Sequence, residues 1–249
     1  VAFAAIEGEG TDPAGLTAAE ISGIQVANPE FTGRRWPVPD VRLLAPILPS
    51  KVVCVGRNYA AHAEELGNEI PEHPIIFLKP STSIIGPNVA IELPAGSTQV
   101  EFEGELALVI GVACRDVPAA RVNSVLLGYT VANDVTARDQ QKADGQWTRA
   151  KGYDTFCPLG PWIETAIDAS DVRLRTELDG EVKQDSRTSL LLNPIGKIVE
   201  WISAVMTLRP GDVILTGTPA GVGPMKAGQA VSVTVDGIGT LTNPVVDRQ

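Results

Sequence analysis

The run Val100-Glu-Phe-Glu-Gly-Glu-Leu-Ala-Leu-Val-Ile110 constrains the chain more than any other stretch. Its second half is apolar and β-prone, which predicts a strand that ends buried. Residues two apart on a strand share a face, so Glu101, Glu103 and Glu105 are expected to point the same way. Like charges on one face repel, and ionised carboxylates entering a core are costly unless something positive meets them. A bound cation satisfies that condition. An exposed strand end with a solvated acidic edge avoids it, and the strand alone leaves both readings open.

The donor inventory limits which cation could serve. There are two histidines, His62 and His73, and three cysteines, Cys54, Cys114 and Cys157, with no Cys-x-x-Cys pair. Zinc or copper sites built on nitrogen and sulfur are therefore disfavoured. A hard ion held by oxygen, whether magnesium, manganese or calcium, fits the supply of carboxylates. The odd, scattered cysteines fit reduced, buried thiols and a cytoplasmic protein rather than a disulfide frame.

Charge and hydropathy exclude other classes. A net charge of −10 lacks the basic footprint that nucleic acid requires, and any anion site has to be made locally. No apolar run approaches the ~18–20 residues of a membrane span. Val1–Gly8 has neither the basic start nor the apolar core of a signal peptide. At 249 residues, 44% of them hydrophobic and 20% charged, the chain suits a soluble globular protein. It has room for one large domain with a small companion.

In chain order, residues 1–48 read as a small, mainly β N-terminal domain leaning on the main body, and residues 49–249 as that main body. Thr17-Ala-Ala-Glu20 resembles a capping box and predicts one short helix in the first part. Lys51–Val55 reads as a strand, after which Asn58 is placed to cap a helix running to about Leu66, with Gly67 as its stop. On that helix His62 and Glu65 are three apart and share a face, where a carboxylate can orient an imidazole for acid–base work. A solvated helix face is the alternative. Segment 57–74 is long and polar enough to act as a lid. Ile75–Leu78 is a further strand, and Lys79 at its end is expected to snorkel to water rather than hold an anion.

Beyond the acidic strand, Pro118–Leu126 reads as a short helix, and the chain turns polar and helical from Asp139. Asp179-Gly180 between two β-prone runs signals a hairpin. Ile195, Val199, Ile202 and Met206 mark one apolar helix face. The Gly-rich Thr216–Gly223 loop lacks the Gly-Lys-Ser/Thr ending of a phosphate loop, so Thr218 or its backbone lining a cleft is the better reading.

Five motifs then combine. Gly56-Arg-Asn-Tyr-Ala-Ala-His62, Phe77-Leu-Lys-Pro-Ser-Thr82, Glu103-Gly-Glu-Leu-Ala-Leu-Val-Ile-Gly111, Asn133-Asp-Val-Thr-Ala-Arg-Asp139 and Leu215-Thr-Gly-Thr-Pro-Ala-Gly-Val-Gly223 resemble the fumarylacetoacetate hydrolase family, in its order and spacing, from about residue 51 onward. The resemblance implies an α+β, mainly β fold, a mixed β-roll with a small N-terminal domain, usually homodimeric. It implies a Mg2+ or Mn2+ ion on Glu103, Glu105 and Asp134, with Glu101 left outside the site. It assigns catalytic roles to His62, Glu65 and Lys151. Arg138, Gln141 and Lys151 fall on positions that hold substrate carboxylates, and Arg57, Lys79 and Thr218 on other substrate-pocket positions.

The implied activity is that of a metal-dependent enzyme acting on a small 2-oxo diacid through an enol or enolate. Oxaloacetate decarboxylation is the leading expectation. Fumarylpyruvate or acylpyruvate hydrolysis and 2-hydroxyhepta-2,4-diene-1,7-dioate isomerisation are the alternatives. A reading of another class is a non-catalytic, metal-stabilised binding scaffold.

Overall fold

The computed structural model describes residues 1–23 and 29–249. The chain divides into two compact units, Val1–Leu44 and Ala45–Gln249.

In the first unit, β1 (Phe3–Glu7), β2 (Thr17–Ile21) and β3 (Phe31–Pro37) form an antiparallel sheet in that order. The helix expected from Thr17-Ala-Ala-Glu20 is not there. Those residues are the central strand, paired with β1 on one side and β3 on the other. A capping box must be followed by an apolar run at helical spacing, but here Ser22-Gly23 follows, and two flanking strands supply the backbone partners instead.

The second unit opens with β4 (Val52–Gly56), α1 (Ala60–Glu65), β5 (Ile75–Lys79), β6 (Ile84–Ile85) and β7 (Ile91–Leu93). The acidic run follows as two strands, β8 (Val100–Phe102) and β9 (Gly104–Ile110), and then come β10 (Leu126–Asn133) and β11 (Thr136–Ala137). Helices α2 (Arg138–Asp144) and α3 (Thr148–Lys151) lead to β12 (Cys157–Glu164), β13 (Arg173–Leu178) and β14 (Glu181–Arg187). The unit closes with α4 (Ile195–Val205), β15 (Val213–Leu215), β16 (Gly223–Pro224), β17 (Ala230–Val235) and β18 (Gly239–Asp247).

A seven-stranded mixed sheet, ordered β5-β4-β15-β9-β10-β12-β6, carries β9 at its centre. A five-stranded sheet, β14-β13-β17-β18-β7, packs against it, and a small sheet β11-β8-β16 fills one end. This is the mainly β roll with few, short helices that the motifs implied. No helix among the described residues is long and apolar enough to cross a membrane.

Alternation along β9 builds two cores. Leu106, Leu108 and Ile110 face one way, toward Val233, Val235 and Leu241 and toward Ile198, Val199 and Ile202 of α4. Ala107 and Val109 face the other way, with Cys54, Ala132, Cys157 and Leu215. Each large side chain so enclosed contributes roughly 1.5–3 kcal/mol. Glu105 has the parity of Ala107 and Val109, so its carboxylate belongs to the second, smaller-residue face.

Three local expectations are corrected. The acidic run is broken at Glu103, because its N–H and that of Gly104 bond to Asn133 Oδ1 (2.9 Å) and Gln184 Oε1 (3.0 Å) instead of a neighbouring strand. Asn58 caps no helix: it donates to the Asn193 and Thr216 carbonyls and accepts from the Asn193 N–H, tying the start of α1 to two distant segments. Pro118–Leu126 contains a 3-10 helix, Ala119–Ser124.

Candidate active site

The site is assembled from three loop edges around the end of β9. Glu103 and Glu105 flank the strand break, and Asp134 follows β10, where its N–H donates to the Glu103 carbonyl at 2.8 Å. Ligand-capable oxygens of Glu103, Glu105 and Asp134 lie within 4.8 Å of one another, and all three residues are buried.

Buried cations surround them. Lys151 Nζ, on α3, donates to Glu103 Oε2 and Asp134 Oδ2, each at 2.7 Å. Arg138, the first residue of α2, donates to Glu101 Oε2 at 2.7 Å, Glu103 Oε1 at 2.6 Å and Gln141 Oε1 at 2.6 Å. Lys79 is fully enclosed and donates to Asp134 Oδ1 at 2.6 Å and the Val135 carbonyl at 3.2 Å. It does not snorkel, because its side chain is buried and Asp134 meets its charge. Glu101 is no solvated edge either: it is buried against Arg138 and Gln99.

Four buried carboxylates (Glu101, Glu103, Glu105, Asp134) thus face three buried cations (Lys79, Arg138, Lys151), an excess of one negative charge. The excess falls on Glu105, which accepts the Gly217 N–H at 2.6 Å and forms no ion pair among the described residues. Burial, then the neighbouring Asp134 and Glu103 charges, push its carboxyl well above the ordinary range. Glu103 is the opposite case: burial opposes its ionisation, but Lys151 and Arg138 outweigh burial and hold it well below that range. Burial opposes the charge on Lys151 as well, yet Asp134 and Glu103 hold its ammonium above the usual lysine range. An all-oxygen, buried, electron-rich triad with one unanswered carboxylate fits a hard divalent cation.

The cavity in front of the triad has a volume of about 370 Å3. It is lined by Arg57, His62, Glu103, Glu105, Asp134, Arg138, Gln141, Lys151 and Thr218 among the expected residues. Lys79 does not line it and sits behind Asp134. Glu65 does not line it either. His62 Nδ1 lies 3.5 Å from Glu65 Oε2, an ion-pair separation without a hydrogen bond, while the Glu65 carboxylate accepts the Gly221 N–H at 3.0 Å and 3.2 Å. Thr218 Oγ1 donates to the Gly104 carbonyl at 2.9 Å, so its side chain also holds the strand break.

Some wall residues carried no sequence expectation. Trp147, Phe77 and Lys142 are among them. Gln184 of β14, fully buried, donates to Thr218 Oγ1 at 2.7 Å and the Pro219 carbonyl at 2.8 Å while accepting the Gly104 N–H. No local pattern marks it, since its partners lie 34 to 80 residues away. Cys54 and Cys157 are enclosed on the same face of the sheet, and burial pushes both thiols up, Cys157 to about 12, so neither offers a thiolate.

A larger groove, about 820 Å3, is bounded by Ala119, Val122 and Asn123, by Leu126–Tyr129 and Thr165–Ser170, and by the start of α4. Its ionisable groups are Asp168 and Tyr129 alone, so it lacks the convergent charges of the smaller cavity.

Comparison with known proteins agrees with this geometry. Residues 51–246 match the fumarylacetoacetate (FAA) hydrolase C-terminal family model, and residues 1–46 match the Rv2993c-like N-terminal model. The chain is 64% identical over 251 residues to Protein Rv2993c of Mycobacterium tuberculosis, covering all of this chain and 95% of that protein. It is 45% identical over 200 residues to the mitochondrial oxaloacetate decarboxylase of Dictyostelium discoideum, covering 76% of this chain and 90% of the relative. The crystal structure of a 2-hydroxyhepta-2,4-diene-1,7-dioate isomerase from Mycobacterium marinum superposes with a TM-score of 0.93 at 63% identity, over 99% of this chain and 94% of that one. The chain belongs to the fumarylacetoacetate hydrolase family.

Proposed function

We propose that this chain is a divalent-metal-dependent enzyme acting on a small 2-oxo dicarboxylate, with oxaloacetate decarboxylation as its leading reaction. The observation that carries the reading is the buried Glu103–Glu105–Asp134 triad, which lines one cavity together with Arg138, Lys151 and His62. Glu103, Glu105 and Asp134 would hold Mg2+ or Mn2+, and the bound ion would supply Lewis acidity toward a 2-oxo carbonyl. Lys151 and Arg138 then have a second task. Their charges, now confined by the acids, are placed to hold the carboxylate and the developing negative charge of a 2-oxo acid. Gln141 Oε1 is used by Arg138, so its amide N–H groups are what remain for a substrate oxygen.

In the leading reaction the bond to the distal carboxylate breaks, carbon dioxide leaves, and the electron pair flows toward the 2-oxo oxygen. His62, whose Nδ1 faces Glu65 and whose ring lines the cavity, returns a proton to the carbon. Glu65 orients His62 once segment 57–74 closes as a lid. The 3.5 Å His62–Glu65 separation also favours a second reading, fumarylpyruvate or acylpyruvate hydrolysis, in which the dyad activates water. The name of the Mycobacterium marinum structure supports isomerisation as a third. A homodimer in the cytoplasm belongs to the same proposal, and light scattering tests the assembly.

Assays with Mg2+ on oxaloacetate, an acylpyruvate and a 2-hydroxydiene diacid separate the three. Oxaloacetate loss no faster than with free Mg2+ removes the leading choice. Calorimetry with oxalate, a stable 2-oxo acid mimic, tests the non-catalytic scaffold: binding indifferent to a chelator would favour it over an enzyme.

A further inference from the structure

Two cations on the cavity wall have no acid to answer them. Arg138 and Lys151 are bonded to carboxylates, as is Lys79 behind them. Arg57 and Lys142 form neither an ion pair nor a side-chain hydrogen bond among the described residues. Arg57 is nonetheless held in place. Its φ of +54° is a conformation that L residues adopt at a cost, kept only where the surroundings enforce it.

Trp147 packs against this stretch of backbone. A Cβ on Gly56 would lie 2.6 Å from the Trp147 ring, so the indole rests directly on the backbone that precedes Arg57. Phe77 meets the same ring edge-on, with centroids 5.2 Å apart at 73°. The Arg57 guanidinium carbon sits 5.9 Å from the indole centroid. Stacking of this kind restrains a guanidinium and leaves its N–H fork unspent.

We propose that Arg57, seated on Trp147, reads the second carboxylate of the substrate, so that this cavity selects 2-oxo diacids over 2-oxo acids with an uncharged tail. This inference rests on the 2-oxo acid reading above. The ion pairs support it. Arg138 and Lys151 are already bonded to carboxylates; Arg57 is the restrained charge still unanswered, and a second carboxylate matches its fork. Lys142, exposed on α2, adds attraction at the rim. Trp147 acts as a positioning residue.

A matched ligand pair tests the assignment by calorimetry on the Mg2+-loaded protein: 2-oxoglutarate and 2-oxopentanoate, which differ by one carboxylate. The unsubstituted protein should bind 2-oxoglutarate roughly ten- to hundred-fold more tightly, the usual worth of a charge-assisted contact. Arg57→Gln should erase that ratio and leave oxalate affinity within about two-fold, since oxalate has no tail to read. Arg57→Lys, which keeps charge but not the fork, should retain part of the ratio, as should Trp147→Phe. On oxaloacetate, Arg57→Gln should raise KM without lowering kcat, because the charge Arg57 holds departs as neutral carbon dioxide. A ratio that survives Arg57→Gln, an unsubstituted protein with no preference, or a kcat loss at constant KM would overturn the inference. Should Arg57→Gln not fold, an undiminished ratio in Arg57→Lys would overturn it equally. Oxalate failing to bind the unsubstituted protein would overturn the 2-oxo acid reading itself, and this inference with it.

Discussion

Gly217 donates its backbone N–H to Glu105 Oε2 at 2.6 Å, across 112 residues of chain. The contact aims the one triad carboxylate that no cation answers, and it comes from a loop that also receives Glu65 at Gly221. The loop therefore ties the triad to the helix carrying His62, and it does so through backbone N–H groups that side-chain substitution cannot remove.

Glu103→Ala, Glu105→Ala and Asp134→Ala should each lose the divalent ion and activity together. Binding to the native state alone stabilises by about 2.7 kcal/mol at a hundred-fold excess over Kd. The unsubstituted protein should thus melt higher in Mg2+ or Mn2+ than in chelator, and the variants should show no such shift. Full metal occupancy and turnover in any of the three would mean that the ligands are others.

His62→Ala should lower turnover by roughly 10²–10⁴ while leaving metal and oxalate affinity nearly intact. Glu65→Gln should cost less, because the imidazole remains and only its orientation suffers. Stopped-flow turnover beside an oxalate titration separates the two effects. Unchanged turnover on every active substrate would return His62 to a purely structural place in α1.

Gln184→Leu should weaken the metal site without touching a ligand. It leaves the Gly104 N–H and the Pro219 carbonyl without their partner, at a cost of about 1–3 kcal/mol for each buried group so stranded. The strand break that sets Glu103 against Glu105 then loosens, and Mg2+ affinity should fall along with the melting temperature. A variant that is destabilised yet binds metal as before would confine Gln184 to a packing role.

Asp212 should contribute to the acid limb of stability. Burial opposes its ionisation, but hydrogen bonds from Lys51, Ser50 and the Arg209 N–H outweigh burial and hold its carboxyl below the usual range. A depressed native value means that this stabilisation is complete above the unfolded value, about 3.9, and is lost as pH falls through the native one. Asp212→Asn should lower stability at pH 7 and flatten the decline below about pH 4. Denaturant titrations from pH 7 down to pH 3 check both, and parallel curves would remove Asp212 from the acid limb.

Local pattern determined much of this protein. The apolar alternation of Gly104–Ile110, the turn at Asp179-Gly180 and the spacing of Ile195, Val199 and Ile202 each state a strand, a hairpin or a helix within a few residues, and the structure has them there. The same locality misled at Thr17–Glu20, where strand partners on both sides override a four-residue helix signal. It misled again at Asn58, whose side chain satisfies backbone groups more than 100 residues away. Charge was the least legible property. Whether Lys79 reaches water or Asp134, whether Glu101 is solvated or bonded to Arg138, and which triad acid is left unanswered all depend on partners distant in sequence. A side chain's type is written in the chain, but the dielectric and the counter-charges around it exist only once β9, α2 and α3 converge on one cavity, so the acidic motif was legible in sequence while the electrostatics around it were decided by tertiary structure alone.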